Sequence, residues 1–511
     1  MTQRKPFFYD VTLRDGNQAL AKPWNTEEKV QVFNQLVKLG VQGIEVGFAG
    51  ASDMDFAACE HLAKMAPDDI VISGLARAME KDIAKVWEAI QYANQPRIHT
   101  FIATAPFNME HVLRKSPQEV LKKAEEAVRI SKSYVGDQGT VQFSAEHFGD
   151  CRENLDFVID VFHAVVEAGA TTINLPNTVE RYRPMLFVEM VAKVVEALPN
   201  NIDVAVHAHN DLGMATATTV ESYFAGAVQV ETALNGLGER AGNTNMYEVA
   251  LGLHNCGVDV PLNLEHIYET ALLVSDWGDL RIPDKAPIIG PEAIAHRSGI
   301  HQDGAAKTKG MSKGAYRPID FNLIGRGDND LITFTSQSGR TAVYEMIGNM
   351  GYPISLEEAT ELQPVLKEIS EREGELNEER VLEIFKNEYV NVGSYLKFTS
   401  VNGIRDEEVF EFKFKRGNEI LQERISAEGP IEACLRLLRE LGYSVELKDY
   451  SQSVVSDKDK DWGGRALSEI ELKSKDKIAV GRGVHNDTLV ANMKALFTAA
   501  NLLFHKFEPV K

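Results

Sequence analysis

The first half of the chain alternates short apolar runs with longer segments of helical spacing. One such segment, TEEKVQVFNQLVKLG (26–40), repeats apolar residues every three to four positions and ends in glycine, which is typical of an amphipathic helix. The β-rich runs cover residues 7–12, 43–48, 69–75, 97–104, 140–146, 171–178, 203–210 and 228–236. Eight strand–helix units in roughly 250 residues predict an α/β fold with a (β/α)8 TIM barrel. The alternative is a doubly wound open sheet, but no Gly-x-Gly-x-x-Gly segment follows the first strand.

The pattern changes after about residue 290. A glycine-rich polar segment (296–327) has little periodicity, and a highly charged segment (356–389) predicts two helices. From residue 391, strand-rich stretches are followed twice by a helical one, which predicts a separate α+β domain. The sequence therefore predicts a barrel domain over 1–290, linker subdomains over 291–390 and a C-terminal domain over 391–511.

Composition narrows the class of protein. The 511 residues carry a formal net charge of -21 at pH 7, which disfavours binding to nucleic acid or to an anionic membrane. The cysteines are far apart and form no Cys-x-x-Cys pair, so we expect a reducing compartment. The chain has neither a signal-peptide core nor an apolar run long enough to span a membrane. We therefore expect a cytoplasmic protein with neither nucleic-acid nor membrane partners.

Polar residues collect where the predicted strands end. In a TIM barrel the chemistry lies at the carboxyl ends of the strands, and residues two apart share one face of a strand. The groups that share a face are Gln142, Ser144 and Glu146; Asn174 and Thr178; and His207 and His209. The pattern predicts a polar site at this end of the barrel.

Two histidines separated by one residue can direct their imidazoles at one point. His207 and His209 therefore suit a divalent metal, although an isolated pair of this kind is more often two hydrogen-bonded histidines. Asp15 ends the first strand, and Asn243 follows the eighth, which lies beside the first when the barrel closes. Two imidazoles, a carboxylate and an amide oxygen make an incomplete metal shell. Imidazole ligands favour Mn²⁺ or Zn²⁺, and the oxygen ligands leave Mg²⁺ open.

Several charged residues near these ends need an interpretation of their own. Arg14 and Asp15 are either a local ion pair in an exposed turn or a metal ligand beside a group that faces the bound substrate. Glu45 either supports Arg14 through a charge-assisted hydrogen bond, which we favour, or is catalytic. We interpret Glu239 and Arg240 as a structural ion pair, in a turn whose glycines permit positive φ and present Asn243.

Six ordered motifs resemble those of the 2-isopropylmalate synthases, which belong with homocitrate and citramalate synthases to a group of acetyl-CoA-dependent condensing enzymes. The motifs are DVTLRDGNQ, GIEVGFAGAS, HAHNDLGMA, GLGERAGN, SGIHQDG and YRPID. The resemblance covers nearly the whole chain, including a tail similar to the leucine-sensing domain of that family. It departs in the first motif, where Val11 stands in place of the usual threonine.

The resemblance implies a function and a set of roles. The expected reaction condenses acetyl-CoA with a 2-oxo acid, 2-oxoisovalerate, at a divalent metal held by Asp15, His207, His209 and Asn243. Arg14 would stabilise the alkoxide, and either Glu146 or His301 would remove the acetyl proton. His301 and Tyr316 would reach the active site across a homodimer.

The resemblance also implies two binding regions. The side chains expected around the 2-oxo acid are Leu75, His99, Ser144, Asn174 and Thr178. The glycines expected around a leucine effector are Gly481 and Gly483, although HNDTLVANMKAL after them differs from the usual sequence, so another effector stays open.

Rival functions remain at this point. Pocket volume discriminates weakly between 2-oxo acids, by about 1–3 kcal/mol per methylene, so citramalate or homocitrate synthesis stays an alternative. A metal-dependent acyl-CoA lyase or a carboxyltransferase would share only the first motif and the histidine pair. A non-enzymatic amino-acid sensor is disfavoured because the charged and polar residues of the barrel are intact.

Overall fold

The computed structural model describes residues 4–311, 314–327, 331–404, 408–455 and 464–505. The chain folds as two compact units. The first contains the described residues up to Ala293 and residues 317–327, and the second contains Ile294–Tyr316 and the described residues from 331 onward. The three-part division expected from the sequence stays a prediction.

The first unit is a closed barrel of eight parallel strands in sequence order, in which β1 pairs with both β2 and β8. The strands are β1 Phe7–Asp10, β2 Gly43–Glu45, β3 Val71–Arg77, β4 Gln95–Ala103, β5 Thr140–Glu146, β6 Thr172–Asn177, β7 Asp203–Ala208 and β8 Gln229–Thr232. Each lies within or overlaps one predicted run. The predicted (β/α)8 barrel is confirmed, and the open sheet is excluded.

Helices connect the strands and form the outer layer of the barrel. They are α1 Thr26–Leu39, α2 Asp53–Met65, α3 Glu80–Ile90, α4 Pro117–Val135, α5 Leu155–Glu167, α6 Pro184–Ala197, α7 Ala215–Phe224 and α8 Met246–Asn255, and α9 Ile267–Gly278 follows. The sequence accounts for the ends of α1. Asn25 and Glu28 cap its first turn reciprocally, and Gly40 ends it at a φ of 84°, a conformation that glycine adopts readily.

Strand register brings polar side chains of neighbouring strands level with one another. Ser144 on β5 lies level with Asn174 on β6, and His207 on β7 lies level with Glu231 on β8. All four are buried. The interior of the barrel is therefore polar towards its carboxyl end, where the sequence predicts the site.

The second unit begins with short elements and helices. They are β9 Ala295–His296, α10 Gly299–Lys307, β10 Leu331–Ile332, α11 Arg340–Asn349, α12 Leu356–Glu373 and α13 Glu378–Tyr389. Strands β9 and β10 pair in parallel. The two helices predicted over residues 356–389 are confirmed as α12 and α13.

The rest of the second unit repeats one pattern twice, three antiparallel strands followed by a helix. The first repeat is β11 Leu396–Ile404, β12 Val409–Arg416, β13 Glu419–Ser426 and α14 Pro430–Glu440, and the second is β14 Glu446–Val455, β15 Arg465–Ser474, β16 Lys477–His485 and α15 Thr488–Phe504. The predicted α+β fold of this region is confirmed. Strand β13 was not singled out in the sequence because its exposed residues alternate little.

Strand β16 packs closely on α15 at two glycines. A Cβ added to Gly481 would lie 2.1 Å from the carbonyl oxygen of Ala495, and one added to Gly483 would lie 2.0 Å from that of Ala491. Both positions therefore require glycine for strand–helix packing. Their expected role around an effector stays a prediction.

Between these glycines, Arg482 links β16 to α12. It donates to Glu358 at 2.6 and 3.0 Å and to Glu469 at 3.1 Å, and its side chain is buried. Apolar residues of the second sheet, Val455, Leu467 and Val484, belong to the same buried cluster as Phe385 of α13. Within this unit, helices α11 to α13 and the second sheet therefore share one core.

Among the residues that the structure describes, no helix combines the length and the apolar character needed to cross a membrane.

Candidate metal-dependent active site

A tight turn after β1 carries the first two charged residues of the site. Asp10 accepts hydrogen bonds from the backbone nitrogen of Thr12 at 2.9 Å and from its hydroxyl at 2.7 Å. The amide of Asp15 donates to the carbonyl of Val11 at 2.9 Å. These bonds hold the turn at the carboxyl end of the barrel, where Arg14 and Asp15 line a cavity.

That cavity has a volume of about 190 Å³. Its walls come from six strands and from the turn after β1. The lining residues are Arg14, Asp15, Leu75, His99, Phe101, Ser144, Glu146, Asn174, Pro176, Thr178, His207, His209 and Glu231. The structure therefore brings together all five predicted substrate contacts, three predicted metal ligands, Arg14 and Glu146. Phe101, Pro176 and Glu231 were missed, although Phe101 shares a strand face with His99 two residues earlier.

Asp15, His207 and His209 form a compact buried group. One ligand atom of each lies within 4.8 Å of those of the other two. The Nε2 atoms of the two histidines are 3.3 Å apart, and Nε2 of His209 is 4.0 Å from Oδ2 of Asp15. Two imidazoles and a carboxylate that converge in this way can bind a divalent cation. No second group of this kind occurs in the described part of the chain.

Asn243, the fourth predicted ligand, lies beside Asp15. Its Nδ2 donates to Oδ1 of Asp15 at 3.1 Å and to the carbonyl of Leu237 at 2.9 Å. Its Oδ1 is buried without a hydrogen-bond partner among the described residues. A buried oxygen left over in this way suits a cation, so the residues present fit a divalent metal.

The charge states of the group suit metal binding. Burial acts to raise the pKa of Asp15, but Arg14 and the two histidines outweigh it and hold that pKa well below its usual range. Burial, together with His207, lowers the pKa of His209 to about 3. At neutral pH the carboxylate is therefore ionised, and the imidazole of His209 keeps its lone pair for a ligand bond.

Arg14 is held from behind by Glu45. Its Nε donates to Oε2 of Glu45 at 2.5 Å, and a second nitrogen is paired with Asp15. Burial acts to raise the pKa of Glu45, but Arg14 and His99 lower it to about 2. Glu45 is therefore an ionised support for the guanidinium group, as we favoured from the sequence, and the exposed-turn interpretation of Arg14 is wrong.

His99 is engaged at both ring nitrogens. Its Nδ1 lies 2.6 Å from Oε1 of Glu45, and its Nε2 lies 2.6 Å from the hydroxyl of Ser144. Asn174 donates to the same hydroxyl at 2.8 Å. His99 and Ser144 therefore satisfy one another, while Oδ1 of Asn174 has no hydrogen-bond partner among the described residues.

The two candidate bases lie in different units. Glu146 lines the barrel cavity, where burial raises its pKa, and a raised pKa brings a carboxylate closer to the range of a general base. His301 belongs to the second unit, on α10, where its ring stacks on that of Tyr316 at a centroid distance of 4.1 Å. The structure therefore brings His301 and Tyr316 together with each other.

One predicted pairing near the site is wrong. Arg240 donates to both oxygens of Asp211, at 2.8 and 2.9 Å, and to the carbonyl of Thr178 at 2.7 Å, and Glu239 is not its partner. Adjacent residues on a turn point in different directions. The backbone nitrogen of Glu239 instead donates to Asp15 at 3.1 Å, while Gly242, at a φ of 100°, allows the turn that the sequence predicted.

Comparisons with known proteins agree with this geometry. Three family models match: HMGL-like over residues 5–274, alpha-isopropylmalate synthase post-catalytic domain-like over 293–347, and LeuA allosteric (dimerisation) domain over 375–504. The 2-isopropylmalate synthase of Campylobacter fetus subsp. fetus is 37% identical over 516 residues, covering 98% of each chain. The chain belongs to the 2-isopropylmalate synthase family. The resemblance seen in the motifs is thereby confirmed, and the chain is an acyltransferase of the acetyl-CoA-condensing group associated with leucine biosynthesis.

Other relatives differ in coverage. A protein named 2-isopropylmalate synthase 2 from Leptospira interrogans is 60% identical over 366 residues, covering 72% of this chain and 86% of that one. Among solved structures, an HMG-CoA lyase from Brucella melitensis aligns at 19% identity with a TM-score of 0.46, over 54% of this synthase-family chain and 99% of the lyase. That likeness is too distant to carry an argument.

Proposed function

We propose that this enzyme condenses acetyl-CoA with 2-oxoisovalerate and water to give 2-isopropylmalate and free CoA. The observation that carries the choice of 2-oxo acid is the double engagement of His99 by Glu45 and Ser144. A distal carboxylate, as in 2-oxoglutarate, would need a free cation, and His99 is already bound at both nitrogens. The apolar side chains of Leu75 and Phe101 line the same cavity and suit a branched alkyl group.

Asp15, His207, His209 and Oδ1 of Asn243 would hold the divalent metal. When bound, the metal acts as a Lewis acid towards the 2-oxo acid. Nitrogen and oxygen donors together suit Mn²⁺ or Zn²⁺ and accommodate Mg²⁺. We propose that the enzyme carries one of these three ions.

Arg14 would stabilise the charge that develops on the ketone oxygen. When the acetyl carbanion attacks the carbonyl carbon, a new carbon–carbon bond forms and the ketone oxygen gains the electron pair. The guanidinium group is fixed by Glu45 before the substrate arrives. A donor fixed in advance costs no reorganisation during the reaction.

Glu146 is our first choice for the base that removes the acetyl proton. It lines the cavity, and its raised pKa gives it more proton affinity than an exposed glutamate has. His301, with Tyr316 beside it, is the alternative base. Water then hydrolyses the thioester and releases the thiol of CoA.

The test is thiol release from acetyl-CoA with 2-oxoisovalerate, pyruvate and 2-oxoglutarate offered separately, each with Mn²⁺ or Mg²⁺. Fastest release with 2-oxoisovalerate supports the proposal. Fastest release with pyruvate would make the chain a citramalate synthase and overturn our interpretation of the pocket. Absence of release with all three would overturn the condensation itself.

Three further parts of the proposal concern context. The match to a LeuA allosteric (dimerisation) domain over residues 375–504 supports a homodimer with leucine as effector. Analytical ultracentrifugation and a leucine titration of the activity test these two parts. We also propose a cytoplasmic location, where the substrate acetyl-CoA and reduced cysteines are compatible; fractionation of the cells tests it.

A further inference from the structure

A network of buried polar side chains lies on the inner face of the barrel and includes one residue of the cavity wall. Its central member is Glu231 on β8, which is 1% exposed. Oε1 of Glu231 accepts hydrogen bonds from the amides of Gln142 at 2.7 Å and Gln229 at 3.1 Å. Its other oxygen, Oε2, lies 3.2 Å from Nδ1 of His207. The carboxylate thus stands directly behind a metal-ligand candidate.

Glu231 and His207 each hold one atom that lacks another partner. Oε2 of Glu231 and Nδ1 of His207 are both buried and have no aligned hydrogen bond among the described residues. They lie at hydrogen-bond distance from each other but not at hydrogen-bond angle. Because an unpaired buried polar group is costly, each atom is the natural partner of the other.

Arg97 determines the donor-to-acceptor direction of the hydrogen bonds in this network. Its Nη1 donates to the amide oxygens of Gln142 at 3.2 Å and of Gln229 at 2.7 Å. A guanidinium group only donates, so both amide oxygens must face Arg97 and both NH₂ groups must face Glu231. Glu231 is therefore supplied with donors on Oε1 and offers Oε2 as an acceptor to His207.

We propose that Glu231 is a positioning residue that keeps the proton of His207 on Nδ1, so that the lone pair of Nε2 faces Asp15 and His209. Arg97, Gln142 and Gln229 serve this arrangement by orienting the carboxylate. The inference rests on the metal site of the proposed function, and it adds a support that acts from inside the barrel. Carboxylates behind metal-bound histidines commonly contribute a factor of about 10–100 in metal affinity.

The two histidines of the site differ in this respect. Nδ1 of His209 is buried without a hydrogen-bond partner in the described part of the chain. Among the described residues, a carboxylate lies beside Nδ1 of His207 and none lies beside Nδ1 of His209. Of the two histidines, His207 is therefore the better oriented candidate ligand.

Substitution Glu231→Gln tests the assignment because it preserves shape and changes the donor pattern. The new amide can turn its NH₂ towards Nδ1 of His207, which moves the imidazole proton to Nε2 and blocks the ligand lone pair. We expect the Kd for Mn²⁺ of the full-length protein to rise about 10–100-fold. Titration with Mn²⁺ alone, following free Mn²⁺ by electron paramagnetic resonance, measures it without any turnover.

The matched control is Asp82→Asn. Asp82 is also a buried carboxylate of the first unit, on α3, and it pairs with Arg77 on the outside of the barrel. It should leave the Mn²⁺ affinity within twofold of that of the unsubstituted protein. The midpoint of thermal unfolding without added metal, recorded for all proteins, separates a loss of affinity from a loss of fold.

Each outcome decides between distinct claims. Unchanged Mn²⁺ affinity in folded Glu231→Gln overturns the positioning role and leaves the proposed metal site standing. Failure of the unsubstituted protein to bind Mn²⁺ overturns the metal site and this inference together. If Glu231→Gln does not fold, Gln142→Met decides: it removes one donor to Glu231, so a severalfold weaker Kd supports the role and an unchanged Kd overturns it.

Discussion

The interior of the barrel and the core of the C-terminal repeats differ in the polarity of their buried side chains. Inside the barrel, charged side chains such as Glu45, Arg97 and Glu231 are buried. The C-terminal repeats instead contain a large apolar cluster, with residues such as Phe412 and Phe497, and few buried polar side chains. Buried charges are costly unless every one is paired, whereas apolar packing stabilises directly. The buried side chains of the barrel interior therefore suit chemistry, and those of the C-terminal core suit stability of the fold.

Asn501 is one of the few buried polar residues of the C-terminal repeats, and it shows what such a residue does there. Asn501 on α15 is fully buried, and its amide donates to the carbonyls of Val392, Leu396 and Phe497. Its oxygen accepts from the backbone nitrogens of Tyr395 and Leu396. This buried amide therefore links the start of β11 to α15 by hydrogen bonds, and its role is structural.

The substitution Asp15→Ala in the barrel is expected to have the largest effect on turnover. Removing the carboxylate takes away a proposed ligand of the metal and a partner of Arg14. Because a Lewis-acid metal contributes several kcal/mol to catalysis, we expect turnover to fall by about 1000-fold or more, together with Mn²⁺ binding. Thiol release and Mn²⁺ titration measure both. Normal turnover in this variant would remove the metal assignment.

The next effect is expected from Glu146→Gln, which should slow turnover by about 100–1000-fold and leave Mn²⁺ binding intact. Because burial raises the pKa of Glu146 and a base must be ionised, kcat/KM should fall as the pH is lowered through that raised pKa. The loss should begin at a higher pH than for an exposed glutamate. The variant should lack this acid limb. If His301→Ala abolishes the limb instead, His301 is the base.

A smaller effect, on stability only, is expected from Asn501→Leu. The substitution leaves the backbone groups of β11 without partners, so we expect the free energy of local unfolding to fall by about 2–3 kcal/mol. Hydrogen exchange over residues 395–404 and 488–504 measures it. Thiol release at 25 °C should stay within about twofold, and a 100-fold loss of turnover there would contradict the division between the two regions.

An effect on the stability of the second repeat alone is expected from Gly481→Ala. The added methyl group would lie 2.1 Å from the backbone of α15 at Ala495, so we expect a loss of about 1–3 kcal/mol in the stability of this repeat. Hydrogen exchange of α15 measures it. A leucine titration of the same variant asks a separate question, because a lost leucine response with unchanged exchange would support the expected effector role of this glycine.

The sequence predicted those parts of the molecule that periodicity encodes. Apolar runs of strand length located all eight barrel strands, and closure of the barrel explains why Asp15 meets His207 and His209 from far along the chain. Alternation along β5 also predicted that Ser144 and Glu146 would face the cavity.

Other features could not be predicted because they depend on contacts between turns or between distant strands. Arg240 pairs with Asp211 across two loops, and loops have no period from which a partner can be inferred. Arg97 on β4 and Glu231 on β8 are linked through Gln142 on β5 and Gln229 on β8, which sequence periodicity does not indicate. Strand β13 was missed because the exposed face of its sheet lacks apolar alternation.

The core shared by α11 to α13 and the second C-terminal sheet limits how this gene could be shortened. A stop codon placed near residue 391 would remove Val455, Leu467 and Val484 from around Phe385, and it would leave Glu358 without Arg482. The exposed apolar surface would promote aggregation of the shortened product. Engineering an enzyme without the C-terminal repeats therefore calls for new polar residues on these helices as well as a new chain end.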